Sequence, residues 1–132
     1  MSYIQSNIVI TLNALTSGNF TVSGGDSGKI FMIPAAVGGA RVITLPAVSP
    51  GLRLKFICGG AIGNTVTITR AGGSTISGNL INTAGGNCVS FPKAGAVDVQ
   101  FTAVAISGDQ CELISDGTNW YCTGIGRAVS FA

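Results

Sequence analysis

The chain has 132 residues, enough for one domain with a real core, yet only 9% of them are charged, against roughly 25% in an ordinary soluble domain. The net charge is +2 and the seven basic residues are scattered, so no run of them can neutralise a row of phosphates, which argues against a nucleic-acid partner. No apolar stretch reaches the ~20 residues of a membrane helix, and there is no histidine, the usual general acid–base near neutral pH.

With a hydrophobic share of 46%, the polar surface must come from Ser, Thr, Asn and Gly. That composition suits a subunit that hides much of its surface in an assembly better than a free monomer. The start, Met1-Ser2-Tyr3-Ile4-Gln5, has neither a basic region nor an apolar core, so no signal peptide is expected.

In chain order, residues 1–27 read as an N-terminal arm or as the first hairpin of the domain. Ile8, Ile10 and Leu12 alternate with polar or β-branched neighbours over residues 7–12, and Phe20-Thr21-Val22 is a second short strand. Turn-forming residues follow each. The main domain is expected over 28–132. Residues 29–33 form a strand ended by Pro34, and residues 41–45 a second, stopped by Pro46. After Ser49-Pro50-Gly51, Leu52, Leu54, Phe56 and Cys58 alternate with Arg53 and Lys55, a half-buried strand with its basic residues outward. Residues 65–70 alternate strictly, with Val66 and Ile68 inward. Residues 74–78 are a short strand or bend, 79–87 a glycine-punctuated loop, and 88–92 a short strand. Residues 96–106 are the longest candidate, with Val97, Val99, Phe101, Ala103 and Ala105 on one face.

Asp116-Gly117 lies between two β-type runs and predicts a tight hairpin. A two-residue turn there sets Leu113 opposite Trp120 and Cys111 opposite Cys122, with Glu112, Ile114, Asn119 and Tyr121 on the other face. A last strand spans 127–131. No apolar residues recur at helical spacing over three turns. The pattern predicts an all-β chain: an antiparallel β-sandwich or jelly-roll-like barrel of roughly ten short strands, without substantial helix.

Little here carries chemistry. Cys58, Cys88, Cys111 and Cys122 form no C-x-x-C, so no metal site is expected, and with no secretion signal buried free thiols are favoured over a Cys111–Cys122 disulfide. Asp109 and Asp116 suit turns. A hydrolase would need facing carboxyls, for which Asp98 and Glu112 are the available pair. Gly59 to Gly63 lacks the Gly-Lys-Ser/Thr of a phosphate loop and reads as a turn. No catalytic residue and no cofactor are expected.

Taken together, Val42-Ile43-Thr44-Leu45-Pro46, Asn64-Thr65-Val66-Thr67-Ile68, Ser74-Thr75-Ile76-Ser77-Gly78 and Ser115-Asp116-Gly117-Thr118-Asn119-Trp120-Tyr121 resemble the small β-domain of bacteriophage tail-fibre and spike tips and of capsid-decorating or fibre proteins of large DNA viruses. The resemblance covers about residues 28–123. It implies a virion structural protein without enzymatic activity, a homotrimer on the capsid surface made in the host cytoplasm. The short chain favours a minor capsid or decoration subunit, with the major capsid protein or other virion proteins as partners. Tyr3, Ile4, Ile8 and Ile10 are then candidates for a capsid-docking arm. The alternative is a receptor-binding tip that recognises host surface glycans through Tyr121, Asn119 and Trp120, although Trp120 also fits the core.

Overall fold

The computed structural model describes residues 8–132. Tyr3 and Ile4 of the expected docking arm lie outside the described residues. Twelve strands are present among the described residues: β1 (Val9–Thr11), β2 (Phe20–Thr21), β3 (Ile30–Ile33), β4 (Arg41–Thr44), β5 (Pro50–Cys58), β6 (Val66–Thr69), β7 (Ile76–Asn82), β8 (Val89–Ala96), β9 (Asp98–Phe101), β10 (Gln110–Asp116), β11 (Trp120–Gly126) and β12 (Val129–Phe131). The helical content is three single 3-10 turns. The chain is all-β with short strands, as its period-2 patterning predicts.

The expectation of antiparallel pairing is corrected. The strands form two mixed sheets, a seven-stranded one in the order β1-β3-β5-β10-β11-β7-β8 and a five-stranded one in the order β12-β9-β6-β4-β2. From β1 to β7 the chain passes from one sheet to the other at every connection. Strands two apart in sequence therefore become parallel neighbours: Ile30 sits beside Lys55, and Ile43 lies beside Phe20 on one side and Ile68 on the other. Parallel neighbours need a crossover, and here the intervening strand in the opposite sheet is that crossover. The Gly/Pro turns at 34–40 and 46–49 are arches between sheets rather than hairpins. Likewise β1 and β2 are not a hairpin with each other; they join different sheets, and Leu12, Leu15 and Val22 beside them enter the core.

Both sheets feed a single core. Phe31 stacks on its register partner Phe56 with ring centroids 5.4 Å apart, and Phe20 from the opposite sheet meets Phe31 at 5.9 Å. This aromatic contact ties β2 of one sheet to β3 and β5 of the other.

Two strand expectations also shift. The run predicted over 96–106 is broken at Val97, with Ala96 ending β8 and β9 covering only Asp98–Phe101. Val97 is 43% exposed, and the chain turns where the Ala105 N–H donates to the Thr102 carbonyl at 2.9 Å. Buried Asp109 closes this turn region by accepting from the N–H groups of Arg127 (3.0 Å) and Ala128 (3.1 Å), which staples it to the β11–β12 connection. Conversely β7 continues to Asn82, through the first part of the predicted loop, because β11 and β8 supply ladders on its two sides.

Candidate functional site

The hairpin β10–β11 is inserted between β5 and β7, at the centre of the larger sheet. Its faces are as the alternation predicts: Cys111, Leu113, Trp120 and Cys122 are buried, while Ile114 and Tyr121 are exposed. Its register is corrected by two residues. Ser115 pairs with Trp120, Leu113 with Cys122 and Cys111 with Gly124, so the two cysteines are diagonal rather than opposite. The central turn residues are Gly117 and Thr118, with the Asp116 N–H donating to the Asn119 carbonyl at 3.2 Å. Only Gly117 has positive φ (97°), the arrangement of a turn with glycine at its first central position.

The turn forms one residue later because the Asp116 side chain is used inside it. Its Oδ1 accepts from the N–H groups of Thr118 (2.8 Å) and Asn119 (2.9 Å), and its Oδ2 accepts from the Tyr121 hydroxyl (3.2 Å). The Asn119 and Thr118 amides, foremost, hold the Asp116 carboxyl below its ordinary value. The same carboxylate, as hydrogen-bond acceptor and then as neighbouring charge, raises the Tyr121 phenol. For Asp116 the folded-state pKa is depressed, so this support for the turn is complete above the unfolded carboxyl's 3.8 and is lost as pH falls through the lower folded value. In an NMR pH titration Tyr121 is expected to ionise above pH 10, its ordinary value, and to move back toward it in Asp116→Asn. An unchanged midpoint in the variant would contradict the coupling.

The three residues proposed for glycan contact are thus divided. Trp120 is fully buried and offers no ring face to a ligand. Asn119 Oδ1 accepts from the Thr75 N–H (2.9 Å) and hydroxyl (3.0 Å), latching the hairpin tip onto the start of β7. Tyr121 alone is open, 49% exposed. Of the docking-arm candidates, Ile8 is exposed and Ile10 packs on the core. Asp98 and Glu112 are not brought together: they belong to different sheets, each on the side away from the core.

The four cysteines are free thiols. The neighbouring Cys122 thiol and burial raise the Cys111 thiol, and burial pushes Cys58 up to about 12, so these interior groups stay protonated and unreactive. Among the described residues no three Cys, Asp or Glu side chains converge to hold a metal ion.

Two surface features emerge that sequence reading missed. The first is on the outer face of the larger sheet. Register places Val9, Ile30, Lys55, Glu112, Thr123 and Asn79 in one row across six strands. The adjoining row runs Thr11, Met32, Ile57, Gln110, Ile125 and Ile81. A depression of about 470 Å³ lies over the β1–β10 part of this face, and another of about 360 Å³ over β5–β7; Lys55 and Glu112 line both. Arg53 Nη2 donates to Glu112 at 3.0 Å, and Lys29 pairs with Asp26 at 2.6 Å. The alternation of β5 signalled outward Arg53 and Lys55, but nothing local indicated that Glu112 would lie beside them.

The second feature is β8. Phe91 pairs with Leu80, which is fully buried, so Phe91 and, two residues away, Val89 point to the core side of the sheet. They are nonetheless 49% and 46% exposed. β8 is the edge strand of the seven-stranded sheet, exposed at every residue from Val89 to Gly95 and buried only at Ala96. Compared with known proteins, the chain matches no family model, no curated protein and no solved structure.

Proposed function

We propose that this chain is a structural subunit of a virus particle, a minor capsid or decoration protein without enzymatic activity, that assembles with copies of itself, most simply as a trimer, on the virion surface. The observation that carries the reading is the uncovered core side of β8. Large apolar side chains on the inner side of a two-sheet fold are ordinarily sealed by the opposite sheet, and a second copy supplies the missing cover for Phe91 and Val89. The shortage of charge supports the same reading, because a surface buried between copies has little use for ionised groups. Ile8, exposed next to β1, is available for contact with the major capsid protein. The receptor-tip alternative through Tyr121, Asn119 and Trp120 retains only Tyr121 on the open surface.

Light scattering on the eluting protein tests the assembly. The expected mass is three times that of the 13.2 kDa chain, about 40 kDa. Phe91→Asp is expected to yield monomers with an unchanged circular dichroism spectrum, since this side chain is half open to solvent in the single chain. A wild-type mass of 13.2 kDa at micromolar concentration would overturn the reading. So would absence of the protein from purified particles.

A further inference from the structure

The outer-face trough of the seven-stranded sheet offers a second kind of contact, distinct from assembly and not dependent on it. The two depressions lie side by side, with Lys55 and Glu112 in the walls of both. Together they extend from β1 to β7, six adjacent strands and so about 24 Å at the usual spacing. That is long and open, the shape for a chain molecule lying across the strands rather than for a compact metabolite.

The trough's chemistry narrows the ligand. Its cations are Lys29, Arg53 and Lys55, against one carboxylate, Glu112. Lys29 is committed to Asp26 and Arg53 to Glu112; among the described residues Lys55 makes no ion pair. One uncommitted amine, on a half-buried lysine, suits a ligand with sparse negative charge and is far short of the row of cations a nucleic-acid backbone requires. Around it stand Gln110, Thr123 and the Glu112 carboxylate, neutral or accepting groups that match hydroxyls able both to donate and to accept. Ile125 and Ile81 give apolar ground between them, and the exposed Tyr121 ring lies on the same side of β11, two residues from Thr123. A peptide would be expected at a sheet edge, where backbone groups are open, not across a sheet face.

We infer that this trough binds a carboxylate-bearing saccharide chain, with Lys55 receiving a sugar carboxylate and Glu112, Gln110 and Thr123 engaging sugar hydroxyls. The full-length protein is titrated calorimetrically with an oligogalacturonate hexamer, a hyaluronan hexamer and a sialylated trisaccharide. At least one is expected to bind, and its methyl-esterified form is expected to bind about tenfold more weakly or worse, the scale of a lost charge-assisted hydrogen bond. Lys55→Gln is expected to weaken binding by a similar factor. Arg127→Gln, on the exposed β11–β12 turn, is expected to leave it unchanged. Phe91→Asp is expected to bind as wild type, which separates this result from the assembly test. Binding by none of the three, equal affinity for acid and ester, or an unaffected Lys55→Gln variant would overturn the inference. Free galacturonate binding as tightly as its hexamer would do so too, since that describes a single-anion site and not a trough. Loss of binding in a folded Phe91→Asp monomer would place the ligand at a seam between copies and also defeat it.

Discussion

Trp120→Ala is expected to remove about 3–5 kcal/mol of stability, the range for truncating a large buried aromatic. The indole is fully buried, on a hairpin strand flanked by its register partners Ser115 and Ile76, at the centre of the larger sheet. No strand can slide inward to fill the space, because both sides of β11 are fixed in ladders. For a single domain of this size the loss corresponds to a melting temperature lower by on the order of 10–20 °C. Trp120→Phe separates packing from polarity. The Trp120 Nε1–H has no hydrogen-bond partner among the described residues, so removing it breaks no bond, and the cost is expected to be less than half that of alanine. Thermal and urea denaturation followed by circular dichroism measures both variants. An alanine variant within 1 kcal/mol of wild type, a margin on the order of an ordinary surface change, would contradict the core role.

Gly78→Ala is expected to cost at least about 3 kcal/mol, the upper end of ordinary overpacking, although it adds a single methyl group. Gly78 lies on β7 directly beside Cys122 of β11, and a Cβ there would run into the Cys122 carbonyl. The obstacle is backbone, which can yield only by opening the parallel β7–β11 ladder. That ladder attaches β7 and, through it, β8 to the rest of the sheet. Loss of soluble protein or a markedly earlier denaturation midpoint is the expected result. Hydrogen exchange should show β7 and β8 opening first. A Gly78→Ala protein as stable as wild type would mean that these two strands do not approach as described.

The two substitutions also show different degrees of legibility. Trp120 is readable as core, because it shares a face with Cys111, Leu113 and Cys122 under simple alternation, and a register error of two residues preserves that face. Gly78 is unreadable: it ends a Ser/Thr/Gly-rich stretch that reads as a short strand or bend, and only its neighbour across the sheet explains it. The hairpin turn is expected at Asp116-Gly117 and forms one residue later, a shift that follows from where the Asp116 carboxylate finds its donors.

At the candidate sites, Arg53 and Lys55 were legible as outward-facing, but their meeting with Glu112 joins residues far apart in the chain. Tyr121 was legible as exposed. Phe91 and Val89 were legible as a strand's apolar residues, and ordinary patterning would bury them. Their exposure goes with the place of β8 at the edge of the larger sheet, which its own residues do not specify.

Local order alone determined that this protein is all-β, which strand faces are apolar, that Asp116 serves a turn, and that its surface is poor in charge. Those properties follow from side-chain alternation and composition, which each segment carries within itself. The tertiary structure alone decided that the first seven strands alternate between sheets, that neighbours two apart run parallel, and that β8 is an exposed edge strand. The physical reason is that Gly, Pro and Asn bend the chain equally well into a hairpin within one sheet or an arch to the other. The choice between those two connections is made by which distant strands can together enclose the core.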